Sequence, residues 1–434
     1  MPQMLDTACS GFETDFTALL AAKRETGADV SAATAEIIAA VRAEGDAAVL
    51  ALTRKYDRLE ATDMESLRIT SQECSTALDR IDAGLRTALE LAAERIHAFH
   101  LHQLPDGFSL QDNAGVMTAM RHGPVESAGL YVPGGKAAYP SSVLMNAIPA
   151  QVAGVSRRVM VVPCPDGVIN DAVLAAAHLS GIEEIWKIGG AQAIAALAWG
   201  TESIAAVDKI TGPGNAYVAA AKRQVYGQVG IDSIAGPSEI LILADAANNP
   251  DWIAMDLLSQ AEHDEAAQAI LITDDAGFAK ATATAVEKCL ETLPRQAVAA
   301  AAWQNNGAII TIADWAEGCQ LADRIAAEHL QIATAEPETL ADRIRHAGAI
   351  FLGRHTPEAI GDYIAGPNHV LPTARTARFS SGLGVADFMK RTTLVRRDAE
   401  SLARIGPAAI RLAEAEGLTA HARSISQRLT EQNP

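Results

Sequence analysis

From Gly129 onward, short apolar runs alternate with Ala-rich segments of helical period, and this alternation constrains the fold more than any other feature of the chain. Gly129–Val132, Val159–Val162, Ile185–Ile188 and the residues before Thr211 form one cluster of runs, with Asp171–Leu179 and Ala191–Trp199 as helices between them. Ile240–Leu243, Ala269–Thr273, Ala308–Ile312, Leu330–Ala333 and Ala349–Leu352 form a second cluster, again separated by helical stretches. Strands that alternate with helices imply parallel sheets joined by crossover helices. Two clusters predict two α/β units.

The flanks read differently. The first 125 residues are expected to be helical. Ser31 is placed to cap a helix carrying Ile37, Ile38, Val41, Val49 and Leu50, and a second helix is expected over Ala77–His102, with Ile81, Leu85, Leu89, Leu91 and Ile96 as its buried stripe. After Arg378 the chain returns to helix, with Ile410, Leu412 and Leu418 as apolar positions. A length of 434 residues suits two or three domains, and no low-complexity stretch or long linker separates them.

Composition removes several classes of function. With 49% apolar and 20% charged residues, wholesale disorder is excluded. A net charge of −18 repels phosphate backbones and anionic lipid, which argues against nucleic-acid and membrane-surface roles. No apolar run reaches the roughly 18 residues of a membrane span, and Met1–Asp15 lacks the basic start and apolar core of a secretory signal. Cys9, Cys74, Cys164, Cys289 and Cys319 are scattered and form no Cys-x-x-Cys pair, so neither a disulfide framework nor a thiolate zinc cluster is expected, and a reducing cytoplasm is the natural compartment.

The glycine fingerprint Gly-x-Gly-x-x-Gly of a dinucleotide site is absent. Ile188-Gly-Gly-Ala-Gln192 and Thr211-Gly-Pro-Gly-Asn215 each lead from a strand into a helix, where free N–H groups could meet a phosphate; both serve equally well as ordinary strand–helix turns. Gln260 and His263 lie three apart on one helix face, a spacing that suits two ligands of one metal ion or simply a solvated helix end. Glu328 and His329 directly precede a strand, and an adjacent acid and imidazole suit proton transfer. Asp362, the Gly366-Pro-Asn-His369 loop, and Glu416 with His421 near the end add further polar groups on turn-rich or helical segments. Together they offer Gln, His, Asp and His to a metal without any cysteine.

Ile231-Asp232 followed by Ala235-Gly-Pro-Ser-Glu239, Leu258-Ser-Gln-Ala-Glu-His263, Ala327-Glu-His-Leu330, Gly361-Asp-Tyr363, Pro367-Asn-His-Val-Leu-Pro372 and Glu416-Gly-Leu-x-x-His421, in this order, closely resemble the histidinol dehydrogenase family from about residue 20 to 425. The loop Tyr226–Gly230 is shorter than in some members. The resemblance implies a zinc- and NAD-dependent enzyme that oxidises L-histidinol through L-histidinal to L-histidine with two NAD⁺. It implies two incomplete Rossmann-like parallel-sheet domains plus small helical N- and C-terminal domains, in an intertwined homodimer with shared active sites. The corresponding boundaries are a helical arm over 1–25, a discontinuous domain of 26–130 and 238–378, a second domain of 131–237, and a helical domain of 379–434. By position, one Zn²⁺ per subunit would take Gln260, His263, Asp362 and His421. Glu328 and His329 would be the acid/base pair. Substrate would meet Ser238, Gln260, His263, Glu328, Glu358, Asp362, His369, Glu416 and His421, and NAD would meet Tyr131, Gln192 and Asn215.

That constellation makes chemical sense. Zinc acts as a Lewis acid and template, His329 is placed as base for the alcohol, and Glu328 as base for the water that hydrates the aldehyde. Glu358, His369 and Glu416 suit an imidazole ring, which favours histidinol over another small polar alcohol such as a sulfonated diol. A zinc hydrolase working without NAD, or a binding protein, would leave the glycine turns or the proton-transfer pair without a purpose.

Overall fold

The computed structural model describes residues 2–22, 30–134, 139–234 and 236–430; Ala235 of the Ala-Gly-Pro-Ser-Glu motif and the 23–29 junction expected between arm and first domain lie outside them. One sheet has six parallel strands in the order Gln3–Asp6, Ala308–Thr311, Gln268–Thr273, Glu239–Ala244, His329–Ala333, Ala349–Leu352. A second has the order Arg68–Ile69, Glu184–Trp186, Arg157–Val161, Ser127–Tyr131, Lys209–Thr211, Gly230–Ile231, parallel except for its first strand. In both, the chain builds outward on one side of a central strand and then crosses to the other. The order therefore reverses beside Glu239–Ala244 in one sheet and beside Ser127–Tyr131 in the other, and such reversals open crevices at sheet ends.

The expected strands are found within two residues of their ends because most are buried on both faces; the edge strand Ala349–Leu352, with Ile350 and Leu352 exposed, is the exception. Leu241, Leu243, Ile270 and Ile332 pack to one side of the first sheet, while Ile240, Ile242, Ala269 and Leu271 pack to the other. Helices cover both faces, as parallel sheets require.

The flanking segments differ from expectation. Residues 26–130 were expected with the 238–378 unit, yet Arg68–Ile69 pairs antiparallel with Glu184–Trp186, and Ile37, Ile38, Val41 and Val49 share a core with Ile188, Ile194 and Leu197. The first residues, expected as a helical arm, open with strand Gln3–Asp6 alongside Ala308–Thr311 before helix Phe12–Ala21. Edge strands of two and four residues are too short to show an alternation. Ser31 lies inside helix Val30–Glu44 and is not its cap. The helix expected over 77–102 is two helices, Ser71–Arg80 and Ala83–Leu101, because the Asp82 side chain accepts the Leu85 N–H and starts a new helix. Its buried stripe is Leu89, Ala92, Ile96 and His100, with Leu85 and Leu91 exposed. Finally, Met389–Arg396, Met117–Pro124 and Phe108–Gln111 form a three-stranded antiparallel sheet within segments expected to be helical. Its strands are largely exposed, so no buried face writes a two-residue period into the sequence. Among the described residues no helix is long and apolar enough to cross a membrane.

Candidate active site

Two sheet ends meet different sets of polar residues. At the amino end of the first sheet, Ala326 takes a left-handed conformation (φ 49°) after helix Trp315–Ile325 and turns the chain into strand His329–Ala333. His329 is therefore held between Ile240 and Ala349. Its Nδ1 lies 3.0 Å from the Glu239 carbonyl. A carbonyl only accepts, so Nδ1 carries the proton and Nε2 the lone pair. Nε2 is buried without a hydrogen-bond partner, 3.6 Å from Glu358 Oε1 and 3.9 Å from Asp362 Oδ1. Burial holds the His329 pKa below its usual value although Asp362 pulls it upward. The result is a neutral imidazole with an unused basic nitrogen.

The carboxyls around it are equally constrained. Glu328 Oε2 accepts the Glu239 N–H at 2.9 Å, and burial, aided by Glu239, Asp362 and Glu358, drives its pKa well above the carboxylate range. Glu358 is pushed up to about 8 by burial and then by Asp362. Ser259 Oγ donates to Glu358 Oε2 at 3.3 Å, while its partner oxygen Oε1 has no hydrogen bond.

Gln331, on the same strand face as His329, accepts the Glu358 N–H at 3.3 Å and donates to Asp256 Oδ2 at 2.7 Å. Sequence reasoning missed Gln331, Asp256, Ser259 and Glu239. The available signal was Gln331 itself, a polar residue inside the buried run His-Leu-Gln-Ile-Ala.

His329, Glu358 and Asp362 each place one ligand atom within 4.8 Å of the others. Gln260, 1% exposed near the end of helix Pro250–Ala261, adds a buried side-chain oxygen with no partner. Electron-pair donors gathered in a dry site repel one another unless a proton or cation lies among them. An all-oxygen-and-nitrogen donor set suits a divalent metal such as zinc or manganese. His263, in the turn beyond the helix, is exposed, yet it is close enough to lower the His329 and His369 pKa values.

The loop through Asn368 and His369 ties this site to the second sheet. His369 Nδ1 donates to the Asp362 carbonyl at 2.9 Å, leaving Nε2 to accept from Ser142 Oγ at 3.3 Å. Asn368 Nδ2 donates to the Met145 carbonyl at 2.6 Å. Ser142 and Met145 belong to helix Pro140–Ala153, the first helix after strand Ser127–Tyr131. Ser238 is half-buried, and its carbonyl accepts the Gln268 N–H at 3.0 Å.

Glu416 and His421 are not brought into the gathered donor set. Both are exposed, and helix Thr419–Thr430 packs against helix Ala399–Ala415.

At the carboxyl end of the second sheet, Tyr131 OH accepts the Gly190 N–H at 3.1 Å, and burial pushes its pKa up to about 12. Gln192 is 2% exposed, with its amide nitrogen unpartnered. Asn215 caps helix Ala216–Val225 by accepting from Tyr217 N–H and Val218 N–H at 3.1 and 3.2 Å. Tyr131 and the Gly212–Asn215 turn flank the reversal of strand order, where open α/β sheets bind ligands.

Fold and site together define an α/β enzyme with a buried imidazole set among carboxyls and donors suited to a divalent cation. The histidinol dehydrogenase family model matches residues 20–429. A histidinol dehydrogenase from Ruegeria pomeroyi is 60% identical over 433 residues, covering 100% of both chains, and one from Cereibacter sphaeroides is 60% identical over the same span. The crystal structure of a histidinol dehydrogenase from Elizabethkingia anophelis superposes with a TM-score of 0.94 at 36% identity, covering 100% of this chain and 99% of that one. The chain belongs to the histidinol dehydrogenase family.

Proposed function

We propose that this protein is a cytoplasmic NAD-dependent dehydrogenase that oxidises L-histidinol through L-histidinal to L-histidine with two NAD⁺, the final step of histidine biosynthesis. The observation that carries the reading is the buried, neutral His329, whose Nε2 lone pair has no partner among the surrounding carboxyls. Gln260, His263, Asp362 and His421 would hold zinc, which would supply Lewis-acid polarisation of the substrate. NAD⁺, held near Tyr131, Gln192 and Asn215, supplies the oxidising equivalents.

The residues of the chain do the proton work. His329 Nε2 takes the proton of the alcohol, and the Glu239 carbonyl fixes the ring by its bond to Nδ1. Glu328, in its ionised form, takes a proton from the water that adds to the aldehyde, and His329 relays a proton again. Glu358, His369 and Glu416 hydrogen-bond the substrate imidazole, which would otherwise be buried with unpaired nitrogens. Ser238 completes the substrate contacts.

Glu416 and His421 reach such a site from a second copy of the chain. Leu412 and Leu418 are exposed on or beside the tail helices, and Leu394 and Val395 on the antiparallel sheet, apolar side chains that a symmetric dimer would cover in part.

Purified protein mixed with histidinol, and separately with histidinal, should form NADH. Faster NADH formation with a sulfonated diol would overturn the substrate, and no NADH with any alcohol would overturn the activity. His263→Asn and His421→Asn should each lower zinc affinity by at least about tenfold and reduce activity in parallel. Full zinc content with full activity in either variant would sink the ligand assignment.

Metal removal should also expose the buried carboxyls. Glu358 titrates near 4.5 when unfolded and about 8 when folded, so between these values the unfolded chain binds fewer protons and stability falls as pH rises. Zinc binding to the folded state should therefore raise the Tm of chelator-treated protein more near pH 8 than near about pH 5, where protons already satisfy the site. Equal shifts at both pH values, in thermal unfolding with and without zinc, would count against a metal at these carboxyls.

A further inference from the structure

A buried ion pair stands directly behind the turn assigned to NAD. Lys222, in the last turn of helix Ala216–Val225, pairs with Asp232, which follows strand Gly230–Ile231; their side chains are 3% and 5% exposed. Both partners grip the same residue. Lys222 Nζ donates to the Gly212 carbonyl at 3.0 Å, and the Gly212 N–H donates to Asp232 Oδ2 at 2.8 Å. The Asp232 N–H in turn donates to the Ile210 carbonyl at 3.2 Å, fixing the acid to the strand that precedes the turn. Gly212 has φ +110°, a conformation other residues rarely adopt, and a Cβ there would run into the Tyr131 carbonyl.

A charged pair is a costly way to satisfy one backbone N–H and one carbonyl. Desolvating two ions offsets most of their attraction, and apolar pairs of similar size are often as stable. What the pair adds is direction. Lys222 and Asp232 come from the two elements after the turn, and together they fix both polar groups of Gly212 in a single orientation. Tyr131, whose hydroxyl holds the Gly190 turn, lies against the same glycine. The two glycine turns are thereby set relative to each other at the strand-order reversal.

We propose that Lys222 and Asp232 are positioning residues for NAD: their clamp on Gly212 preorganises the Gly212–Asn215 turn that receives the cofactor. The inference rests on the NAD reading above. A preorganised site binds more tightly because less ordering remains to be done on binding. Removing one partner alone leaves a buried unpaired charge and threatens folding. The variant of choice is therefore Lys222→Met/Asp232→Asn, which leaves no buried charge and frees the Gly212 carbonyl. Its KM for NAD⁺ should rise about tenfold, with the KM for histidinol, zinc content and kcat at saturating NAD⁺ within about twofold of wild type. NAD⁺ titration followed by protein fluorescence, without turnover, should give the same loss.

A merely structural pair would lower Tm and folded yield while leaving the NAD⁺ KM of the folded enzyme unchanged, and that result overturns the proposal. Such a failure leaves wild-type histidinol oxidation intact. A wild-type enzyme that does not bind NAD⁺ overturns this proposal together with the reading beneath it.

Discussion

His329→Asn is expected to stop both oxidations, with losses on the order of 10³-fold in each, the usual range for removing a positioned general base. Asparagine can still donate an amide N–H towards the Glu239 carbonyl, as His329 Nδ1 does at 3.0 Å, so the local backbone arrangement survives. It has no basic nitrogen to replace Nε2, the atom left without a partner between Glu358 and Asp362. Glu328→Gln should behave differently. Glutamine keeps an oxygen for the Glu239 N–H, now 2.9 Å from Glu328 Oε2, and loses only the capacity to take a proton from water. Alcohol oxidation needs no added water, so the aldehyde step should suffer more. Single-turnover NADH formation, started from histidinol and from histidinal, separates the two. Equal slowing of both steps by Glu328→Gln would defeat this division of labour. Because burial raises the Glu328 pKa, the aldehyde step of the wild type should also accelerate as pH rises and the carboxyl ionises; this pH dependence should disappear in Glu328→Gln.

The difference between what the sequence disclosed and what it concealed follows from burial. Strands such as Gln268–Thr273 and Glu239–Ala244 are covered on both faces, and their unbroken apolar runs announce them. Strands that bury little, such as Phe108–Gln111 and Met389–Arg396, carry no such record. Helix ends depended on one residue: Asp82 divides an apolar stripe that by period alone reads as continuous. At the site, each motif alone was ambiguous, since Glu-His before a strand or Gln-x-x-His at a helix end serves many structural purposes. Only their ordered combination pointed to a family. The supporting bonds left no local trace, because they join residues far apart in the chain. Glu239 holds Glu328 and His329 from about 90 positions away, and Gln331 links Asp256 to Glu358. Lys222 and Asp232 show no role in the sequence for a related reason: Asp232 stands in the Ile231-Asp232 motif, yet what either residue does is visible only when Gly212 is seen between them.

Co-expressing two variants that fail to complete histidine formation, Glu328→Gln and His421→Ala, should restore histidine formation from almost nothing to roughly a quarter of the wild-type level, given random pairing into symmetric dimers. The prediction rests on where the tail lies. His421 is exposed on helix Thr419–Thr430, which packs on helix Ala399–Ala415, while Asp362 lies beside His329 and Gln260 is buried. If His421 completes the site of the other subunit, a mixed dimer has one site carrying both lesions and one combining intact Glu328 with intact His421. About half of randomly formed dimers are mixed and each regains one of its two sites, which gives the quarter. If each chain built its own site, every site would keep one lesion and mixing would restore nothing. Differently tagged subunits purified in tandem show that mixed dimers are present, and in that fraction alone activity should approach half of wild type. Mixed dimers without activity would place His421 in the site of its own chain, and the exposure of Leu412 and Leu418 would then need another reason.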